Sequence, residues 1–229
     1  MRADAVLFDK DGTLFNFAAS WNAWGQGIIR DLARGDASTA QRLARALGYD
    51  LEAGSFLPHS FAIAGTHGQV VQAIAEALPQ RDLAEIAAHL MQSAARAPMV
   101  PAVPLPAFLA QLAHRGMRLG VITNDAEAHA RAHLGQAGVE QCFDFIAGFD
   151  SGYAPKPNPA ALLAFAKRFE LRPDRVVMVG DSPQDLTAGR RAGMQTVGVL
   201  TGLAPAAALA PNADAVLADI GDLTDWLWG

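Results

Sequence analysis

The sequence predicts an α/β fold: a Rossmann-like, mostly parallel sheet core with an inserted all-helical cap. Three observations carry this expectation. Short apolar runs end abruptly in carboxylates or small polar residues; helical patterns alternate with such runs from about residue 98 onward; and residues 15–97 hold several helical patterns but no convincing strand.

The first run, Ala5-Val6-Leu7-Phe8, is too short for a helix and suits a strand buried on both faces. It ends in Asp9-Lys10-Asp11-Gly12-Thr13. More than a hundred residues later, Arg118-Leu119-Gly120-Val121-Ile122 ends in Thr123-Asn124-Asp125, and Arg175-Val176-Val177-Met178-Val179 ends in Gly180-Asp181. Weaker strand patterns cover 145–147, 196–199 and 215–217. Helical patterns cover 105–114, 127–134, 158–169 and 183–192, the last closed by Gly193. Strands separated by helices need crossovers, which gives a parallel sheet.

Residues 15–97 carry helical patterns over 20–34, 38–47, 69–78 and 81–96, and the proline-rich stretch 98–104 returns the chain to the sheet. The expected organisation is therefore a core from 1–14 and 98–229 with a cap at 15–97. A bland alternative has these helices simply covering the sheet. The segment 205–211 reads as a surface loop or short helix.

The chain of 229 residues is 51% hydrophobic and 18% charged, with a formal net charge of −5, which suits a globular protein and gives no broad electrostatic footprint for nucleic acid. No apolar run reaches membrane-spanning length, and the start of the chain lacks the apolar stretch of a signal peptide. The single cysteine, Cys142, has no internal disulfide partner and reads as a small buried hydrophobe. The expected setting is cytoplasmic, without nucleic-acid or membrane partners.

Ligands of open parallel sheets bind beyond the carboxyl ends of the strands. Three ends here carry Asp9 with Asp11, Thr123 with Asn124, and Asp181 with Asp185, while Lys156 lies between prolines in Ala154-Pro155-Lys156-Pro157. Carboxylates brought together repel, and a hard divalent cation such as Mg²⁺ resolves that conflict. Lys156 would balance further charge, and Gly12 would let the backbone turn closely around an anion. Each element alone also fits an ordinary turn or helix cap. Only three lysines occur in the chain, and two of them, Lys10 and Lys156, fall inside these stretches.

Taken in order, Asp9-Lys10-Asp11-Gly12-Thr13, Val121-Ile122-Thr123-Asn124, Lys156-Pro157 and Gly180-Asp181-Ser182-Pro183-Gln184-Asp185 resemble the motifs of the haloacid dehalogenase-like superfamily, in its capped phosphatase branch. The resemblance implies that Asp9 is the nucleophile forming an aspartyl-phosphate, and that Asp11 is the general acid/base and also offers its backbone carbonyl to the metal. It implies phosphoryl contacts from Thr123 and Asn124, a steadying cation in Lys156, a Mg²⁺ ligand in Asp181 and a supporting carboxylate in Asp185. Asp11 favours phosphate chemistry over carbon–halogen cleavage, because the dehalogenase branch does not use this acid.

Lys10 departs from the hydrophobic residue common between the two aspartates. In an extended segment its side chain would point away from both, in a peripheral place, with a charge-tuning role as the alternative. Within the cap, the segment 59–67 is the candidate loop entering the site, with His59, Thr66 and His67 as candidate substrate contacts; Thr66 also reads as a helix N-cap. Trp21 and Trp24 read as packing residues.

Size and cap look most like the phosphoglycolate phosphatase group, so a small phosphorylated metabolite is the expected partner. A sugar-phosphate phosphatase or phosphomutase remains as an alternative, as does a non-catalytic binding protein on the same fold. No lysine lies between Lys10 and Lys156, which disfavours a Schiff-base phosphonate hydrolase.

Overall fold

A computed structural model describes residues 2–57, 60 and 67–229, without the side chain of His67. The chain divides into two compact units, Met1–Phe17 with Val100–Gly229, and Ala18–Met99.

The first unit is built on six strands: β1 (Ala5–Phe8), β4 (Arg118–Ile122), β5 (Phe145–Ala147), β6 (Val176–Gly180), β7 (Gln195–Val199) and β8 (Ala215–Leu217). Every pairing is parallel, in the order β5-β4-β1-β6-β7-β8. The chain's first strand is thus central, and strand succession reverses beside it. Register fixes the height of the loops: Phe8 lies level with Val121 on one side and Val179 on the other. Asp9, Ile122 and Gly180 therefore leave the sheet together, and the polar residues after them share one edge.

Helices α5 (Leu105–His114), α6 (Glu127–Gln136), α7 (Ala160–Arg168), α8 (Pro183–Arg191), α9 (Ala206–Leu209) and α10 (Leu223–Trp228) complete this unit. Leu7, Ile122, Leu162, Phe165 and Met178 are buried in one core cluster of sheet and helix residues. Burial of a side chain such as Phe165 contributes about 2 kcal/mol. The stretch 205–211 contains the short helix α9. Cys142 is free and half-buried rather than fully enclosed.

The second unit takes in most of α1 (Phe17–Ala33), then α2 (Ala37–Leu47), α3 (His67–Ala77) and α4 (Leu83–Ala94). Asp36 and Asp82 cap α2 and α4 by accepting backbone amides of their first turns. Trp21 and Trp24 meet edge to face at 5.2 Å, and Trp24 Nε1 donates to Ser93 Oγ at 3.0 Å, so both pack within this unit.

A two-residue antiparallel ladder, β2 (Tyr49–Asp50) with β3 (Ser55–Phe56), adds to the helices. Its strands are too short to show an alternating pattern in the sequence. It forms because Gly48 closes α2 in the left-handed region and Asp50 Oδ1 accepts the amides of Glu52 and Ala53, which turns the chain back. No helix among the described residues is long and apolar enough to cross a membrane.

Candidate active site

Strand order and register bring together residues separated by up to 176 positions, from Asp9 to Asp185. Asp9 follows β1 and donates its amide to Val179 O of the adjacent strand at 2.9 Å. Its carboxylate meets Lys156, whose Nζ stands 2.5 Å from Asp9 Oδ1, 2.6 Å from Asp185 Oδ1 and 2.8 Å from Ile122 O. These contacts match the three donors of an ammonium group.

Asp181 ends the β6 edge. Ser182 N-caps α8, Pro183 opens it, and Asp185 closes a capping box in which its Oδ2 accepts the Ser182 amide at 3.0 Å and hydroxyl at 2.6 Å. Asp185 thus serves the helix with one oxygen and Lys156 with the other. Carboxylate oxygens of Asp9, Asp181 and Asp185 all lie within 4.8 Å of one another, and all three residues are buried.

Three buried carboxylates face one ammonium there. Burial, reinforced by Asp185 and Asp11, pushes Asp9 up to about 7 even though Lys156 opposes the shift. Burial also raises Asp181 well above the usual carboxylate range, with Asp185 and Asp9 adding to it. Burial alone would lower Lys156, but Asp185 and Asp9 more than offset it and keep it charged. Such excess negative charge on oxygen donors suits a hard divalent cation. The donor set therefore fits Mg²⁺.

Two glycines close around this cluster. Gly12 has φ +82°, and a Cβ built there would stand 2.3 Å from Asp181 Oδ2. At Gly202, in the loop after β7, a Cβ would stand 1.7 Å from the same oxygen. Thr201, beside it, donates its hydroxyl to Gly12 O at 2.7 Å, tying that loop to the turn after β1. The Thr201-Gly202 pair was not singled out from the sequence. Its place at another strand's carboxyl end is the signal that marks it.

Thr123 is buried, and its Oγ1 accepts the Asp125 amide at 3.1 Å. The Asn124 side chain braces the Lys156 segment: Oδ1 accepts the Lys156 amide at 2.9 Å, while Nδ2 donates to Lys156 O and Gln184 Oε1, each at 3.1 Å. That bracing was not foreseen from the sequence.

The expectation for Lys10 is overturned. Its side chain is fully buried, with Nζ 2.7 Å from Asp11 Oδ2, 3.2 Å from Asp125 Oδ2 and 3.0 Å from His133 Nδ1. The extended segment that would have separated these side chains ends at Phe8. The chain then turns, with Phe15 N donating to Lys10 O and Gly12 N to Phe15 O, so strand alternation no longer governs direction. Burial pulls the Lys10 ammonium down, but the Asp11 and Asp125 carboxylates more than offset it. The Asp11 side chain consequently sits with Lys10, outside the three-carboxylate cluster.

Asp125 Oδ1 contacts His129 Nδ1 at 2.9 Å, and burial of Asp125 is outweighed by Lys10 and His129, which hold it well below the usual carboxylate range. His59 and Thr66 lie outside the described residues, as does the side chain of His67.

The site falls where ligand sites of open α/β sheets fall, at the point where strand succession reverses. The family model for haloacid dehalogenase-like hydrolases matches residues 3–193, and the chain belongs to that family. It is 34% identical over 226 residues to a phosphoglycolate phosphatase of Rhodospirillum rubrum, covering 97% of this chain and 90% of the relative. It is 30% identical over 205 residues to the probable phosphatase IndB of Dickeya dadantii, covering 86% and 81%. The crystal structure of a predicted phosphoglycolate phosphatase from Haemophilus somnus 129pt shares the fold, with a TM-score of 0.73 at 19% identity over 99% of this chain and 98% of that one.

Proposed function

We propose that this chain is a Mg²⁺-dependent phosphatase of small phosphate monoesters, with phosphoglycolate as the first candidate substrate. The observation that carries the reading is the pairing of Asp9 with Lys156 inside the Asp9–Asp181–Asp185 cluster at the switch point. The similarity to the Rhodospirillum rubrum enzyme supports the choice of phosphoglycolate.

In this reading Asp9 Oδ attacks phosphorus and the bond to the leaving oxygen breaks, while Asp11 gives that oxygen its proton. Asp11 then takes a proton from the water that attacks the phosphorylated Asp9. The bond from phosphorus to Asp9 breaks, which releases phosphate and restores both residues. Lys156 holds Asp9 in place and offsets charge between it and a dianionic ester. Thr123 accepts the Asp125 amide and keeps its hydroxyl proton for a phosphoryl oxygen, beside the Asn124 amide. Asp9, Asp181 and the Asp11 backbone carbonyl would hold Mg²⁺, with Asp185 in support through Ser182 and Lys156. When bound, the ion supplies charge neutralisation at the phosphoryl oxygens.

Residues 1–14 and 98–229 would form the catalytic core. Residues 15–97 would act as a helical cap that selects the leaving group, with His59, Thr66 and His67 as its candidate contacts. A cytoplasmic setting, without nucleic-acid or membrane partners, fits the mildly acidic chain and its free Cys142. The test ranks phosphoglycolate, sugar phosphates, nucleotides and pyrophosphate by kcat/KM at equal Mg²⁺, measuring phosphate release. Preference for phosphoglycolate supports the narrow reading. A sugar-phosphate preference replaces it, and an isomerised sugar phosphate without phosphate release would identify a mutase.

A further inference from the structure

Asp125, His129 and His133 recur every four residues, a spacing that puts side chains on one face of a helix; here both histidines lie within α6, and Asp125 stands just before its N-cap Ala126. Asp125 and His133 converge on Lys10 Nζ, while His129 contacts Asp125 from behind. Lys10 in turn reaches Asp11 Oδ2 at 2.7 Å. A charged cluster of this kind is an expensive way to fill a core: replacing buried ion pairs by apolar groups of similar volume is often neutral or stabilising. Apolar side chains at residues 10 and 125 together would fill the space without desolvating an ammonium or a carboxylate. Stability therefore does not account for the lysine, whereas its contact with Asp11 does.

We propose that Lys10, anchored by Asp125 and His133, is a positioning residue that fixes the Asp11 carboxylate for its proton transfers. The proposal rests on the reading of Asp11 as general acid/base. That carboxylate is 16% exposed at its side chain, at the rim of the buried site, whereas Lys10 is completely enclosed. A short-stemmed acid at a rim has several rotamers open to it, and misplacement of a proton donor by about 1 Å can cost on the order of 100-fold in rate. The ion pair through Oδ2 restricts the carboxylate to one arrangement. The anchor is itself tied to the turn after β4, because the Asp125 amide donates to Thr123 Oγ1.

The test uses leaving-group dependence. kcat/KM covers the steps through phosphorylation of Asp9, so it reports protonation of the leaving oxygen and not the later hydrolysis. p-Nitrophenolate departs without a proton, whereas an alkoxide needs one. Lys10→Met is expected to lower kcat/KM on an alkyl phosphate by about 100-fold and on p-nitrophenyl phosphate by less than about tenfold. Asp11→Asn, assayed in parallel, is expected to show the same selectivity with a larger loss.

Selective loss in Asp11→Asn but equal loss on both substrates in Lys10→Met overturns the positioning role and leaves the acid/base reading standing. Absence of selectivity in Asp11→Asn overturns the acid/base reading and the inference with it. Circular dichroism and thermal melting establish that each variant folds. If Lys10→Met does not, His133→Leu removes one of the Nζ contacts that anchor Lys10 while nearly keeping volume, and the same two outcomes decide.

Discussion

The carboxylate of Asp181 occupies the space that a side chain at residue 202 would need: a Cβ on Gly202 would lie 1.7 Å from Asp181 Oδ2. Gly12 approaches the same oxygen from the turn after β1. Asp181 is thus clamped between two backbone segments, which fixes its carboxylate toward Asp9 and Asp185.

Gly202→Ala is accordingly expected to displace Asp181. Overpacking of this kind costs about 1–3 kcal/mol, and the moved carboxylate should weaken activation by Mg²⁺ at least tenfold. Titration of phosphate release against Mg²⁺ checks this; an unchanged half-saturating concentration would refute the clamp.

Asp9→Asn keeps the shape of the side chain but removes the oxygen proposed as the nucleophile and half of the ion pair with Lys156. Phosphate release should fall by on the order of 1,000-fold or more, with the fold retained. Mass spectrometry of quenched turnover should find phosphorylated wild-type protein and no phosphorylated variant. Wild-type turnover by the variant would remove Asp9 from the chemistry.

Lys156→Met leaves Asp9 and Asp185 buried without their shared cation. Breaking a buried pair from one side costs about 3–5 kcal/mol, so a large fall in melting temperature is expected, and added Mg²⁺ should restore part of it. A variant as stable as wild type without metal would show that the pair is not the constraint described here.

The Mg²⁺-free protein should become less stable as pH rises from about 4 to about 7. Asp9 has a folded value of about 7 against an ordinary 3.8, and Asp181 is raised in the same sense. Across that window the folded state keeps protons that the unfolded chain has released, so stability declines with pH. His129 contributes with the same sign: its bond to Asp125 outweighs burial and raises it, and that stabilisation is lost as pH climbs through the folded value. Held at Asp9 and Asp181 as proposed, Mg²⁺ would compete with protons there, so it should raise the melting temperature more at pH 8 than at pH 5. An equal rise at both would contradict the assignment.

Asn124→Ala removes both bonds that hold the Lys156 backbone and the contact with Gln184. The unpaired groups should cost about 1–3 kcal/mol, and kcat should fall as Lys156 loses its register with Asp9. Thermal melting and steady-state kinetics together check this, and a stability loss without a kcat effect would limit Asn124 to bracing.

Much of this site is legible along the chain because a buried strand is a local signal. Ala5–Phe8, Arg118–Ile122 and Val176–Gly180 announce themselves as apolar runs, and whatever follows a parallel strand emerges at one edge of the sheet. The alternation of these runs with helical patterns was therefore enough to predict the fold class, and the residues that follow them name the groups carried to that edge. The direction of a side chain beyond a strand's last residue is not a local signal. Lys10 was assigned to the periphery by alternation and lies at the centre of a buried cluster, because the chain turns after Phe8 and α6 supplies Asp125 and His133 from more than a hundred residues away. Gly202 and the bracing side chain of Asn124 depend likewise on which loops the strand order makes neighbours. The sequence by itself determined which functional groups this protein carries to the edge of its sheet. Only the tertiary structure decided which of them touch, because contacts across such separations are set by strand order, register and close packing rather than by local pattern.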